Sequence, residues 1–78
     1  MPAKAYVLIA TAVGRTGQVL AAIRSRPGVT AADAVTGPYD IIAVVEGQDL
    51  NEIGRIVLDR VHAVEGITRT TTCPVVPA

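Results

Sequence analysis

Apolar β-forming runs alternate along the chain with segments of helical spacing. Residues 4–11 form a continuous apolar run that predicts a first strand. Residues 29–36, of mixed polarity, predict a second strand, and the fully apolar run over 40–46 predicts a third. A threonine-rich run over 67–73, closed by Pro74, predicts the last strand.

Helices are predicted in the two intervals flanking the middle strands. The first begins at Thr16, a residue type suited to the N-cap, and ends before Pro27-Gly28. The second begins at Asp49, which forms a capping-box variant with Glu52 and precedes a helix that ends at Gly66. Each helix carries an apolar face, with Val19, Leu20 and Ile23 in the first and Leu50, Ile53, Val57 and Val61 in the second.

The order β-α-β-β-α-β predicts a ferredoxin-like α+β fold. Right-handed crossovers give an antiparallel four-stranded sheet in the order 4-1-3-2, with both helices on one face. A weak internal repeat agrees, because the helix end, glycine stop and strand start at 19–30 recur at a constant offset within 57–68. Strands one and three are apolar at both parities and are predicted at the centre of the sheet, whereas Asp33 and Arg69 belong to the outer strands.

The central strands also predict that the second sheet face is covered. An antiparallel sheet with a wet face alternates apolar and polar residues, and these strands do not alternate. A domain of 78 residues has a core of marginal depth, and its one cysteine and one histidine provide neither an internal disulfide nor a structural metal site. Half of the residues are hydrophobic and 18% are charged. We therefore expect a homodimer that pairs through the open sheet face, as in dimeric α/β barrels.

Charge and hydropathy point to no nucleic-acid or membrane partner. Seven basic residues balance seven acidic ones, and no apolar run approaches the ~20 residues that span a bilayer. Residues 1–5 lack the layout of a secretory signal. Cys73 has no C-x-x-C partner and is expected to be a half-buried, reduced thiol in a cytosolic protein.

No set of residues predicts catalysis or a bound cofactor. A single histidine, His62, leaves no Ser-His-Asp set, and the loop at 14–17 lacks the spacing of a phosphate-binding loop. A small dimeric α/β-barrel enzyme, of the monooxygenase or isomerase type, stays an alternative that requires a polar cleft lined by Tyr6, Asp33 and His62. An oligomeric scaffold without a ligand is the other alternative.

The predicted tight turn Gly37-Pro38-Tyr39-Asp40 carries the candidate binding chemistry. Proline stands at the turn position whose φ it presets. Backbone N–H groups of the turn could hold a carboxylate, Asp40 could accept an ammonium group, and Tyr39 could close over an apolar side chain. A purely structural turn favours the same residue types, so both interpretations stay open.

Two segments together resemble a known family. Val-Thr-Gly-Pro-Tyr-Asp-Ile-Ile-Ala-Val at 35–44 and Gly-Ile-Thr-Arg-Thr-Thr-Thr at 66–72 are similar to the effector-binding RAM domain of Lrp/AsnC transcriptional regulators. The resemblance implies a single RAM domain over 1–78 that binds an amino acid or related metabolite between dimers of an octamer-like ring. It implies these effector-binding residues: Gly37, Tyr39 and Asp40, followed by Thr36, Thr70 and Thr72.

The chain also departs from the family pattern. Full-length members carry an amino-terminal helix-turn-helix domain, whereas this sequence starts at strand one. The resemblance therefore implies a stand-alone effector module that does not grip DNA itself and that reports by co-assembling with a full-length Lrp/AsnC regulator. Pro38 withdraws one N–H donor from the turn, which narrows how a carboxylate is held there.

Overall fold

A computed structural model describes residues 2–77, and its elements follow the predicted order. The strands are β1 (Ala3–Thr11), β2 (Val29–Ala34), β3 (Ile41–Gly47) and β4 (Ile67–Pro74). The helices are α1 (Thr16–Arg24) and α2 (Leu50–Ile56), and α2 continues directly into a π-helical turn over Val57–Val61. Among residues 2–77, neither helix has the length and apolar character needed to cross a membrane.

The four strands form one antiparallel sheet in the order β2-β3-β1-β4. This order is the predicted 4-1-3-2 read from the opposite edge, so the ferredoxin-like fold is confirmed. In the centre of the sheet, Leu8 of β1 lies opposite Ile42 of β3 on one side and opposite Thr71 of β4 on the other. The strand β1 is therefore the element that connects the functional candidates on β3 with those on β4.

The core lies between the sheet and the helices. Side chains alternate between the two faces along each strand, so every second residue of β1 and β3 faces the helices. No polar side chain of residues 2–77 belongs to this core. Its fully or almost fully buried members are Ala5, Val7 and Ile9 of β1, Ile41, Ala43 and Val45 of β3, Val19 and Ile23 of α1, and Ile53, Ile56, Val57 and Val61 of the second helical segment.

The other parity forms an open face, which has no helix over it. We define the open face by Tyr6 and Leu8 of β1 and by Ile42 and Val44 of β3. Tyr6 is 40% exposed and the other three are half-buried in the single chain. Cys73 lies opposite Tyr6 near the end of β4, and it is exposed rather than half-buried as predicted, because it is on the open face of an edge strand.

The two helices begin differently. Asp49 accepts the Glu52 backbone N–H at 2.8 Å, which confirms the predicted cap, and the Glu52 carboxylate accepts the N–H of Gln48 at 2.8 Å. The prediction of Thr16 as the N-cap of α1 was wrong. Arg15 occupies that position without a side-chain cap, and the Thr16 hydroxyl instead pairs with the hydroxyl of Thr11 at 2.8 Å.

A π-helical turn follows α2 and was not predicted. The N–H of His62 donates to the carbonyl of Val57 at 2.9 Å, which is a bond across five residues. Val57 and Val61 both remain in the core, so their apolar spacing alone fitted an ordinary α-helix. The wider turn ends at His62 and places that side chain beside β4.

The edge strand β2 is covered in part by a side chain from α1. Arg24 Nε donates to the carbonyl of Ala32 at 3.0 Å. Its guanidinium also lies 3.8 Å from the carboxylate of Asp33. Both side chains of that ion pair are more than half exposed, so the hydrogen bond to the backbone is the more specific contact.

Candidate functional site

The connection between β2 and β3 is a loop over 35–40 that is anchored on β1. The N–H of Val35 donates to the carbonyl of Asp40 at 2.8 Å, and the N–H of Asp40 donates to the carbonyl of Ile9 at 2.9 Å. A tight turn starting at Gly37 would need that second N–H for the Gly37 carbonyl. Because Asp40 bonds to β1 instead, the predicted four-residue turn is not closed by a hydrogen bond of its own, and β1 anchors the end of the loop.

The loop presents unused backbone donors. Thr36 and Gly37 are exposed, and Gly37 has a φ of 136°, a conformation that favours glycine. Within residues 2–77, the N–H groups of Thr36, Gly37 and Tyr39 donate to no protein acceptor outside helices and strands. Pro38 has no N–H to offer. The loop can therefore offer hydrogen bonds to a carboxylate from three backbone positions.

Asp40 holds the end of β1 with one of its carboxylate oxygens. Asp40 Oδ2 accepts the backbone N–H of Thr11 at 2.8 Å, and the residue is half-buried. The second oxygen, Oδ1, has no protein partner among residues 2–77. Asp40 thus combines a structural bond with a free acceptor suited to an ammonium group.

Tyr39 reaches from the loop across β1 to β4. Its hydroxyl lies 2.8 Å from the hydroxyl of Thr71, and the Arg69 guanidinium carbon lies 5.2 Å from the centroid of its ring. Thr71 and Arg69 stand opposite Leu8 and Ala10 of β1, respectively, and share the parity of the open face. The loop, the end of β1 and the first half of β4 therefore form one continuous surface.

The two threonines predicted in β4 lie on the other side of the sheet. Thr70 shares a hydrogen bond of 2.8 Å with Nε2 of His62, on the helix side, and Thr72 has the same parity. The register of β4 against β1 therefore places Arg69 and Thr71, and not Thr70 and Thr72, on the face that carries Tyr39. The structure brings the following residues together at the loop: Thr36, Gly37, Tyr39, Asp40, Arg69 and Thr71.

Clefts of small-molecule size lie elsewhere on residues 2–77. One of about 360 Å³ lies beside the second helix and the π-helical turn and is lined partly by Arg55 and Asp59. A second, of about 230 Å³, lies beside His62 and Thr70. A third, of about 290 Å³, follows β2 beside Arg24. None of these three clefts is lined by a residue of the loop over 35–40.

The residues required for the enzyme alternative are not brought together. Tyr6 is on the open face, Asp33 is on the edge strand β2, and His62 follows the π-helical turn on the helix side. None of the three clefts is lined by more than one of these residues. The described residues also contain no group of three or more His, Cys, Asp or Glu side chains placed to hold a metal ion.

The sequence was compared with protein families and with curated proteins. The family model of the Lrp/AsnC ligand binding domain matches residues 4–77. An uncharacterised HTH-type transcriptional regulator of Pyrococcus abyssi (strain GE5 / Orsay) is 33% identical over 55 residues, which are 70% of this chain and 37% of that protein. The chain spans between 31% and 43% of the length of the curated relatives that it matches.

Solved structures share the fold. The protein TTHA0845 from Thermus thermophilus is 34% identical, with a TM-score of 0.91 over 97% of this chain and 95% of that one. A transcriptional regulator from Neisseria meningitidis, in complex with L-Met, has a TM-score of 0.82 at 21% identity. That match covers 96% of this chain and 50% of the regulator, so it shows similarity of fold.

Proposed function

Because the chain belongs to the Lrp/AsnC ligand-binding domain family, we propose that it binds a small-molecule effector, an amino acid or a related metabolite, without transforming it. Its curated relatives are transcriptional regulators, so the role of the domain is regulatory. The candidate site is the loop over 35–40 together with the neighbouring surface of β1 and β4.

The observation that carries this proposal is the pairing of unused donors and an unused acceptor in one loop. Three backbone N–H groups, of Thr36, Gly37 and Tyr39, are free to bind an anionic group. Asp40 Oδ1 is free to accept from a cationic one. An α-amino acid carries a carboxylate and an ammonium group on neighbouring atoms, so it matches both halves of the loop.

A regulator of the same fold is known in complex with an amino acid. The Neisseria meningitidis regulator binds L-Met, and its fold matches this chain over 96% of its length. Its identity to this chain is low, so it supports the class of effector and leaves the particular amino acid open.

Oligomerisation would bring residues of a second chain to the loop over 35–40. The open face offers Tyr6, Leu8, Ile42 and Val44, and a dimer would gain about 25 cal/mol for each Å² of their remaining exposed apolar area that it buries. We infer a homodimer through this face and an octamer-like ring of dimers, with the effector held between dimers. A ligand shifts such an assembly by binding two of its states unequally, and a full-length regulator that joins the ring would transmit the change.

A thermal-shift screen of the purified oligomer against the twenty amino acids tests the proposal. A ligand that binds only the native state raises stability by about 2.7 kcal/mol at a hundredfold excess over its dissociation constant. Asp40→Asn keeps the acceptor for the Thr11 N–H but removes the charge, so it should abolish the shift. Glu65→Gln, at an exposed position that lines none of the three clefts, is the matched control and should keep the shift.

A flat screen with the wild-type protein would contradict the effector proposal. It would favour the scaffold alternative, in which the same core and open face serve assembly alone. A shift that survives Asp40→Asn but responds to substitutions in another cleft would keep effector binding and reject the loop as its site.

A further inference from the structure

Arg69 is an arginine without a protein acceptor. Two other arginines of the described chain donate to backbone carbonyls, Arg24 to Ala32 and Arg60 to Pro27. Within residues 2–77, Arg69 makes no hydrogen bond and has no carboxylate within 4.0 Å, the limit for an ion pair. Its only close partner is the ring of Tyr39, at 5.2 Å. The ring contact places the guanidinium beside Tyr39, and its N–H groups have no acceptor among the described residues.

Arg69 and Asp40 lie on opposite sides of the end of β1. Arg69 is paired with Ala10, and the carboxylate of Asp40 bonds to the N–H of the next residue, Thr11. A free cation and a free acceptor thus face the same short stretch of strand.

We propose that Arg69 is the residue that binds the carboxylate of the effector and that the Tyr39 ring orients it for this purpose. This inference rests on the proposed function and deepens it. The planar guanidinium binds a carboxylate through two parallel N–H···O bonds, which a lysine or an amide side chain cannot reproduce. Stacking on an aromatic ring fixes the plane of the guanidinium before the ligand arrives.

The assignment specifies the chemical class and orientation of the effector. The ligand carries a carboxylate that Arg69 of β4 shares with the free N–H groups of the loop, and an ammonium group that contacts Asp40. Free α-amino acids satisfy both contacts. Their amides and decarboxylated amines lack the group that Arg69 recognises, so they should bind more weakly to the wild-type protein.

A surface arginine that only stacks on Tyr39 would behave differently. Replacing such an arginine would lower the stability of the protein slightly. It would also reduce the affinity for the acid, the amide and the amine to the same extent. A loss of affinity for the acid alone, with the amide and the amine unaffected, therefore indicates a binding role of Arg69 rather than a structural one.

Isothermal titration calorimetry of the assembled protein separates the two roles. The first probe set is L-methionine, its amide and its decarboxylated amine, and the same three forms follow for any amino acid that gives a thermal shift. Arg69→Gln should weaken the free acid about 10- to 100-fold, as expected for the loss of a charged hydrogen-bonding partner, and leave the amide and amine unchanged. The affinity of Arg69→Lys for the free acid should lie between that of the wild type and that of Arg69→Gln. Arg15→Gln, an exposed arginine at the start of α1 that lines none of the three clefts, is the matched control and should bind as the wild type does.

Variants of Tyr39 test the orienting role separately. Tyr39→Phe keeps the ring under the guanidinium and should keep the preference for the free acid over its amide. Tyr39→Leu removes the ring and should reduce that preference several-fold while Arg69 is intact. Acid binding to Arg69→Gln at wild-type strength would overturn the role of Arg69 and leave the proposed function standing. If no amino acid binds the wild-type protein, the proposed function fails, and the role of Arg69 falls with it.

Discussion

The hydroxyl of Tyr39 lies 2.8 Å from the hydroxyl of Thr71, so the loop after β2 is bonded to β4 across the strand between them. The strand that is bridged is β1, which pairs with both β3 and β4. The same loop is bonded to β1 through Asp40. Three strands thus meet at the candidate site, and a change in any of them alters its shape.

The bridge between Tyr39 and Thr71 should be measurable as a coupling energy. Tyr39→Phe and Thr71→Val each remove one hydroxyl, and because the pair is exposed we expect a coupling of about 0.5–1 kcal/mol. Urea unfolding of the two single variants and the double variant gives this value. Strictly additive losses would show that the two hydroxyls act independently in solution.

Two substitutions of Asp40 should differ in their effect on stability. Asp40→Ala leaves the half-buried N–H of Thr11 without its acceptor and should lower the free energy of unfolding by about 1–3 kcal/mol. Asp40→Asn keeps an oxygen that can accept this N–H, so it should lower the free energy of unfolding by less than Asp40→Ala does. Chemical denaturation of both variants checks this order, and equal losses would mean that the charge rather than the hydrogen bond stabilises the end of β1.

A charge in the middle of the open face should dissociate the oligomer. Leu8→Glu places a carboxylate among Ile42, Val44 and Tyr6, where burial against a second copy would cost several kcal/mol. Light scattering at micromolar concentration should then show a monomer. Gln18→Glu, at an exposed position of α1, is the control and should keep the wild-type mass. A wild-type protein that is itself monomeric would refute pairing through this face.

Two glycines with positive φ should tolerate alanine unequally. Gly28 has a φ of 93°, and a Cβ there would lie 2.6 Å from Cδ1 of Ile56, so Gly28→Ala adds a clash to the backbone strain. Gly37→Ala adds only strain, because no atom lies within 4 Å of its Cβ position. We expect losses of about 2 kcal/mol or more at Gly28 and about 1 kcal/mol at Gly37 in urea unfolding. A larger loss at Gly37 would show that the loop is more constrained than these contacts indicate.

The fold was predictable because its signals are local and repeated. The apolar runs of β1 and β3 located the central strands, and Asp49 with Glu52 located the start of the second helix. The order of the strands followed from the handedness of the crossovers. These features depend on neighbouring residues or on general rules of chain topology, so a single sequence contains them.

The site was less predictable because it depends on pairing between distant residues. The choice between Thr70 and Thr71 is decided by the register of β4 on β1, and a shift of one residue reverses the faces. The form of the loop is decided by the bond from Asp40 to Ile9 on another strand. The start of α1 was also decided by a contact with another element, because the hydroxyl of Thr16 pairs with that of Thr11 on β1 and does not cap the helix.

The two edges of the sheet are chemically unequal. On β2, the side chain of Arg24 occupies the carbonyl of Ala32, and any strand added there would first have to displace it. End-to-end growth of sheets, the geometry of a fibre, requires a β2 edge to accept a β4 edge from the next copy. The side chain of Arg24 therefore engages one backbone acceptor on the β2 edge that a further strand would otherwise use.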